Sequence, residues 1–242
     1  MPQAATTAGP PVEALPEKHK LAIKPILQVT SGNALEIYDF FIYGYYAVHI
    51  SGAYFPNSNP FISLMLTLLT FALGFLARPV GAIIIGSYSD RHGRRAGLIL
   101  SLSLMSVGII SLACTPSYST IGLAAPLIVM AGRLLQGFSA GAELGGVVVY
   151  LAETASPGRR AFYTCWQVAS QQFAVMAAAI IGVVIFSVLS PAQMSDWGWR
   201  VPLLVGCAVV PIMFWLRSSL VETAVFARKG RAPTLREICS GL

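Results

Sequence analysis

The sequence predicts an all-α integral membrane protein with six spanning helices, and three observations lead there. Of 242 residues, 55% are hydrophobic and only 11% are charged, against about 25% charged in soluble domains; mean hydropathy is +0.69. The apolar residues also fall into runs too long for a soluble core. Phe61 to Ile85 carries one charge, Arg78, and Ala96 to Cys114 carries none. Lastly, the basic residues collect on one side of those runs. Thirteen of the sixteen Lys and Arg lie outside the spans on a single face: Lys18, Lys20, Lys24, Arg91, Arg94, Arg95, Arg159, Arg160, Arg217, Arg228, Lys229, Arg231 and Arg236. The opposite turns hold none apart from Arg200 at an edge. By the positive-inside rule, that asymmetry predicts cytoplasmic termini.

In order, residues 1–31 form a polar lead-in with Pro10, Pro11 and Pro16. It lacks the apolar centre of a cleavable signal peptide. Span 1, Gly32 to Ile50, is rich in aromatics yet carries Glu36, Asp39 and, near its outer end, His49. Ser51 to Pro60 is a short outer turn, and Phe61 to Gly86 is span 2. The stretch Gly86 to Arg95 reads Gly-Ser-Tyr-Ser-Asp-Arg-His-Gly-Arg-Arg and predicts a tight, densely charged turn before span 3, which ends near Cys114. After an outer turn containing Pro116, span 4 runs from Ile121 to Tyr150. At about 1.5 Å per residue it covers roughly 45 Å against a hydrocarbon core of about 30 Å, so it tilts. Glu153 to Arg160 turns on the basic side. Span 5 is Ala161 to Leu189, residues 190–199 are external, and span 6 is Val201 to Leu216. One unit, 32–216, is thus flanked by tails 1–31 and 217–242. Its two triplets start on opposite sides of the membrane, as in a 3+3 inverted repeat.

Charged groups within spans are costly unless paired or hydrated, which makes them functional candidates. Glu36, Asp39, Arg78 and Arg133 lie at depth, with Glu143 in the inner part of span 4. Helical rise puts Arg78 roughly 12 Å from the inner end of its helix, level with span 1's acids, so Glu36–Arg78 or Asp39–Arg78 can pair. Arg133 and Gln136 share a face with Gly137, and Gly137, Gly141 and Gly145 form a smooth stripe for close helix contact. Gln167 and Gln171 align on span 5 and are expected to line an aqueous cavity, with interhelical hydrogen bonding as the alternative. His49 and His92 are expected to be solvated. Four scattered cysteines imply no disulfide framework. Metal-ligand spacing, a nucleophile–base arrangement and a phosphate loop are all lacking, so neither a cofactor nor an enzyme activity is expected. The basic residues sit in short inter-span turns, so nucleic acid is not an expected partner; the lipid bilayer is.

Gly86-x-x-x-Asp90-Arg91-x-Gly93-Arg94-Arg95 resembles the helix 2–3 signature loop of the major facilitator superfamily. Arg133-x-x-Gln136-Gly137 resembles its helix 4 motif. Gly32 to Phe41 together with Ala77-Arg78-Pro79-Val80-Gly81-Ala82 is similar to the metabolite–proton symporter branch. Gly132 to Glu153 and Phe162 to Gln172 look most like citrate and tricarballylate symporters. The resemblance covers residues 25 to 225. It implies half of a twelve-helix fold and a second six-helix half as partner. The expected activity is symport of protons with a small carboxylate such as citrate, in the bacterial inner membrane. It further implies a conformational latch of Gly86, Asp90, Arg91, Gly93, Arg94 and Arg95, in which Arg94 pairs with Glu153 and Asp90 contacts the second half. Asn33, Arg78, Arg133, Gln136, Gln167 and Gln171 are the substrate-binding candidates, with Arg78 and Arg133 as the two deep guanidinium groups. Glu36, Asp39 and Arg133 are the proton-coupling candidates, because burial penalises a charged acid and favours proton uptake. A dicarboxylate, proline or betaine symporter, or a transport-inactive half that only binds a partner, are the alternatives.

Overall fold

The structure, a computed structural model, describes residues 23–156 and 158–222; the outer parts of both predicted tails lie outside them. Helix α1 (Ile23–Tyr45) leads into α2 (Ala47–Tyr54), followed by α3 (Pro60–His92), α4 (Arg94–Cys114) and a short α5 (Tyr118–Ile121). Next come α6 (Ala124–Thr154), α7 (Arg160–Val188), and α8 (Pro191–Gln193), which continues as a π-helical turn over Met194–Gly198; α9 (Arg200–Ser218) ends the described bundle. The described residues contain no strand.

Among the described residues, five helices are long and apolar enough to cross a bilayer: α3, α4, α6, α7 and α9. The first does not reach that apolarity, because Gln28, Thr30, Ser31, Asn33, Glu36 and Asp39 fall within it. Its polarity is the mark of what it carries. This helix is already formed at Ile23, well before Gly32, and the expected single span to Ile50 breaks at Tyr46, across which Tyr46 N–H still bonds the Ile42 carbonyl at 3.1 Å.

The charged turn is far smaller than its ten residues suggest. Asn59 caps α3 by accepting from the Phe61 N–H, with Pro60 in the first turn, where its missing N–H is no loss. From there α3 stays helical through Asp90 and Arg91 to His92. Gly93 alone makes the break, at φ 105°, a conformation that glycine adopts without the Cβ clash. Helix α4 restarts at Arg94.

Packing follows a crossed pattern. Helix α6 lies on α3 and α4, while α1 lies on α7 and α9, and α1 meets α6 at the centre. Each triplet's leading helix therefore packs on the other triplet's remaining two, as the inverted 3+3 plan requires. The α3–α6 contact is made by backbone. A Cβ on Gly81 would overlap the Phe138 carbonyl, one on Gly137 the Gly74 carbonyl, and one on Gly141 the Arg78 carbonyl. The glycine stripe ends there, since Gly145 faces open space. Backbone contact at these glycines brings α3 and α6 close together between Arg78 and Arg133.

Candidate functional site

Gly32, Glu36, Asp39 and Tyr43 recur at helical spacing along one face of α1. A guanidinium group from a different helix meets each step of that face. Arg133 of α6 donates from Nη1 to Asp39 Oδ2 at 2.6 Å and to Gln136 Oε1 at 2.6 Å. Its guanidinium carbon lies 3.8 Å from the Tyr43 ring centroid, and the Tyr43 hydroxyl donates to the Thr67 carbonyl of α3 at 3.0 Å. Arg78 of α3 pairs with Glu36 Oε1 at 3.1 Å, 4.6 Å from the Phe40 centroid and 4.5 Å from that of Phe75. Of the two expected partners for Arg78, the structure selects Glu36; Asp39 goes to Arg133.

The two cations differ in access. The Arg133 side chain is 3% exposed and Arg78 is 31% exposed. Arg133 is enclosed and bonds protein through Nη1, whereas Arg78 sits at the open side of the cluster. The Phe40 and Phe75 rings, 5.4 Å apart, both lie against its guanidinium, each contributing about 0.5–2 kcal/mol.

Arg217 corrects the sequence reading. It was expected outside the spans among the basic-side charges, with Arg78 and Arg133 as the only deep guanidinium groups. It is in fact fully buried in the last turn of α9. There its Nη2 pairs with Glu143 Oε1 of α6, and its Nη1 donates to Glu143 Oε2 at 3.1 Å. The Leu98 and Val29 carbonyls accept from Nη1 and Nη2 at 2.7 and 3.3 Å, and Ser101 donates to Glu143 at 2.7 Å. A Cβ at Gly32 would strike the Arg217 guanidinium, so the glycine lets α1 pass over this pair. The unpaired acid in span 4 was the available signal. A run-out of apolar residues at Leu216 hid its partner.

The amides expected to line a cavity are tied to each other. Asn33 Nδ2 donates to the Gln167 carbonyl and to Ser170 Oγ, both at 3.1 Å. Gln171 Nε2 donates to Asn33 Oδ1 at 3.3 Å, and Gln167 Nε2 lies 3.5 Å from the same oxygen. Interhelical hydrogen bonding between α1 and α7 is what these groups do; only Gln171 is partly exposed.

At the basic end, Arg94 bonds Asp90 at 2.6 Å and lies 3.6 Å from Glu153, the pairing expected of Arg94. Arg91 is exposed, and Arg95 donates to the Ser218 carbonyl. Gly86 borders a cavity of about 150 Å³ with Ser89, Asp90, Arg94, Gly145 and Gly146. Sequence reasoning missed Glu222, which accepts from the N–H groups of Arg94 at 2.9 Å and Arg95 at 3.3 Å. A carboxylate there answers the unmet donors and the dipole of the α4 N-terminus. The expected solvation holds for His92, which is exposed and stacked on Tyr88. His49 is instead half-buried beside Tyr46 and Phe186.

Residues 25–232 match the family model described as sugar (and other) transporter. The citrate-proton symporter of Klebsiella pneumoniae is 52% identical over 240 residues, covering 99% of this chain and 54% of that protein. The citrate-proton symporter of Salmonella typhi is 54% identical over 213 residues, covering 88% and 49%. Among solved structures, the E. coli proton:xylose symporter XylE bound to 6-bromo-6-deoxy-D-glucose superposes with a TM-score of 0.75 at 17% identity, over 84% of this chain and 46% of that one. Each of these relatives is named as a symporter rather than an enzyme. The chain spans about half the length of the curated relatives it matches. This all-helical membrane protein therefore belongs to the sugar (and other) transporter family, and its fold is that of the major facilitator superfamily symporter XylE.

Proposed function

We propose that the chain forms one half of a proton-driven symporter for a small carboxylate, with citrate as the substrate. The observation that carries this reading is the ion pair between Glu36 and the accessible Arg78. A multiply charged anion entering a poorly solvated cavity needs a cation with donors within reach. Arg78 is that cation, and a planar guanidinium suits a carboxylate bidentately. Glu36 and a substrate carboxylate then compete for the same group. A proton on Glu36 removes the competitor, so proton and anion favour each other's binding, as symport requires. Asp39 and Arg133 form a second, more deeply buried acid–guanidinium pair with the same logic. Gln136, Gln171, Gln167 and Asn33 supply amides around the two pairs. The high identity to citrate-proton symporters supports both the coupling ion and the substrate.

The test needs a second six-helix half, supplied by joining this chain to the remaining portion of the Klebsiella symporter. In membrane vesicles with an imposed proton gradient, the joined protein should accumulate labelled citrate. Arg78→Gln should raise the half-saturating citrate concentration at least about tenfold, since charge-assisted bonds contribute roughly 1.5–3 kcal/mol. Unchanged citrate affinity in that variant would remove Arg78 from the binding site. Uptake of a dicarboxylate but not citrate would replace the substrate.

The latch residues Gly86, Asp90, Arg91, Gly93, Arg94, Arg95 and Glu153 lie at the end we assign to the cytoplasm of a bacterial inner membrane, where Asp90 would meet the second half. The basic tails at that end motivate the orientation. In a cysteine-free background, Ser156→Cys should react with an impermeant maleimide only in inside-out vesicles, and Ser58→Cys only in right-side-out ones. The reverse pattern would invert the topology.

A further inference from the structure

Glu36 and Asp39 both border one small cavity, closed on its apolar sides by Phe40, Phe71 and Met105. Its volume of about 10 Å³ is close to that of a single water-sized sphere. Arg133 and Gln136 also line it. Arg133 Nε and Nη2 and Gln136 Nε2 are buried donors with no hydrogen-bond partner among the described residues. Both residues are more than nine-tenths buried, at 3% and 7% exposure. Buried donors in native proteins are met by protein or by ordered water. Here two carboxylates, unmet donors from two side chains and room for one small molecule coincide.

We propose that this cavity binds one ordered water that is held by a donor of Arg133 or Gln136 and bridges Glu36 and Asp39, accepting from whichever acid is protonated and donating to the other, so that the two carboxylates form a unit that carries one shared proton. The proposal rests on the proton-coupled reading above and adds the route within it. In the transfer step, the O–H bond of protonated Glu36 breaks as its proton passes to the water. One of the water's own O–H bonds breaks as its proton forms a bond to the Asp39 carboxylate. The water is restored, and one negative charge moves from Asp39 to Glu36. Whichever acid holds the proton loosens its own arginine, so the proton's position decides whether Arg78 or Arg133 is released. The charged groups around the pair are Arg78 from α3, Arg133 and Glu143 from α6 and Arg217 from α9, with Tyr43 on α1 itself; Glu143 and Arg217 neutralise one another.

The test is infrared titration of the 242-residue chain in lipid nanodiscs, without substrate, in ordinary and ¹⁸O-labelled water. The expected result is a protonated-carboxyl band that rises with an O–H stretching band shifted by ¹⁸O. Asp39→Asn should move the titration midpoint of the remaining Glu36 band by about one pH unit or more, a tenfold change in proton affinity. Gln136→Leu, which removes one donor and fills space, should abolish the ¹⁸O-sensitive band. Lack of any ¹⁸O-sensitive band in the unsubstituted chain would overturn the water site without needing a variant. A Glu36 midpoint unmoved by Asp39→Asn would overturn the shared proton. Because no citrate is present, either failure is separate from failure of the transport reading, which the vesicle assay decides.

Discussion

Arg217→Met should destabilise the chain by about 3–5 kcal/mol, and combining it with Glu143→Leu should restore most of that loss. Both groups are buried, at 0% and 1% exposure, and they answer each other across α6 and α9. Removing one partner strands a charge in the bilayer-embedded core with only Ser101 or two carbonyls beside it. Removing both exchanges an ion pair for apolar surface of similar volume, which is often neutral or better. Thermal unfolding of the purified chain in detergent measures this directly. A double variant no more stable than Arg217→Met would show that the carbonyl bonds, rather than Glu143, are what Arg217 provides.

Asp39→Asn, in the chain joined to a second half, should abolish uphill citrate accumulation and leave exchange of internal for external citrate within a few-fold of normal. The amide keeps the volume and can still accept from Arg133, 2.6 Å away in the native pair, but it cannot gain or lose a proton. Arg133→Gln should fail in both assays. It removes the guanidinium that pairs with Asp39 among the described residues, together with its contact to the Tyr43 face, leaving a buried carboxylate uncompensated. An Asp39→Asn protein that still concentrates citrate against its gradient would shift the coupling role to Glu36 alone.

Much of this was legible from residue patterns. Long apolar runs and one-sided basic residues gave the six-helix layout, because bilayer thickness dictates span length and charge cannot stay in hydrocarbon. That Arg78 would meet an acid of span 1 followed from matching depths on two helices, with Glu36 and Asp39 both open. Partner choice was less legible. Which acid meets Arg133 depends on how α1 rotates against α6, and α6 is set by backbone contact with α3 at Gly74 and Gly137. Arg217 was misplaced because hydropathy marks where apolar residues stop, whereas helix α9 continues to Ser218 and its burial to Arg217. Glu222 was unreadable for a related reason. Its role exists only because Gly93 leaves the α4 N-terminus bare beside the chain leaving α9.

The crossed packing also bears on how the protein is made. Helix α1 is the first of the described helices to leave the ribosome, and it is the least apolar of the long ones. Its polar groups find their partners on segments synthesised progressively later: Arg78, then Arg133, then Gln167 and Ser170, then the Pro202 carbonyl for Tyr38 and Ser219 for Gln28. Chain elongation at about 5–20 residues per second leaves Glu36 and Asp39 without their arginines for several seconds. During that interval α1 is a poor candidate for free release into lipid, and retention at the insertion machinery would shelter it until α9 closes the bundle.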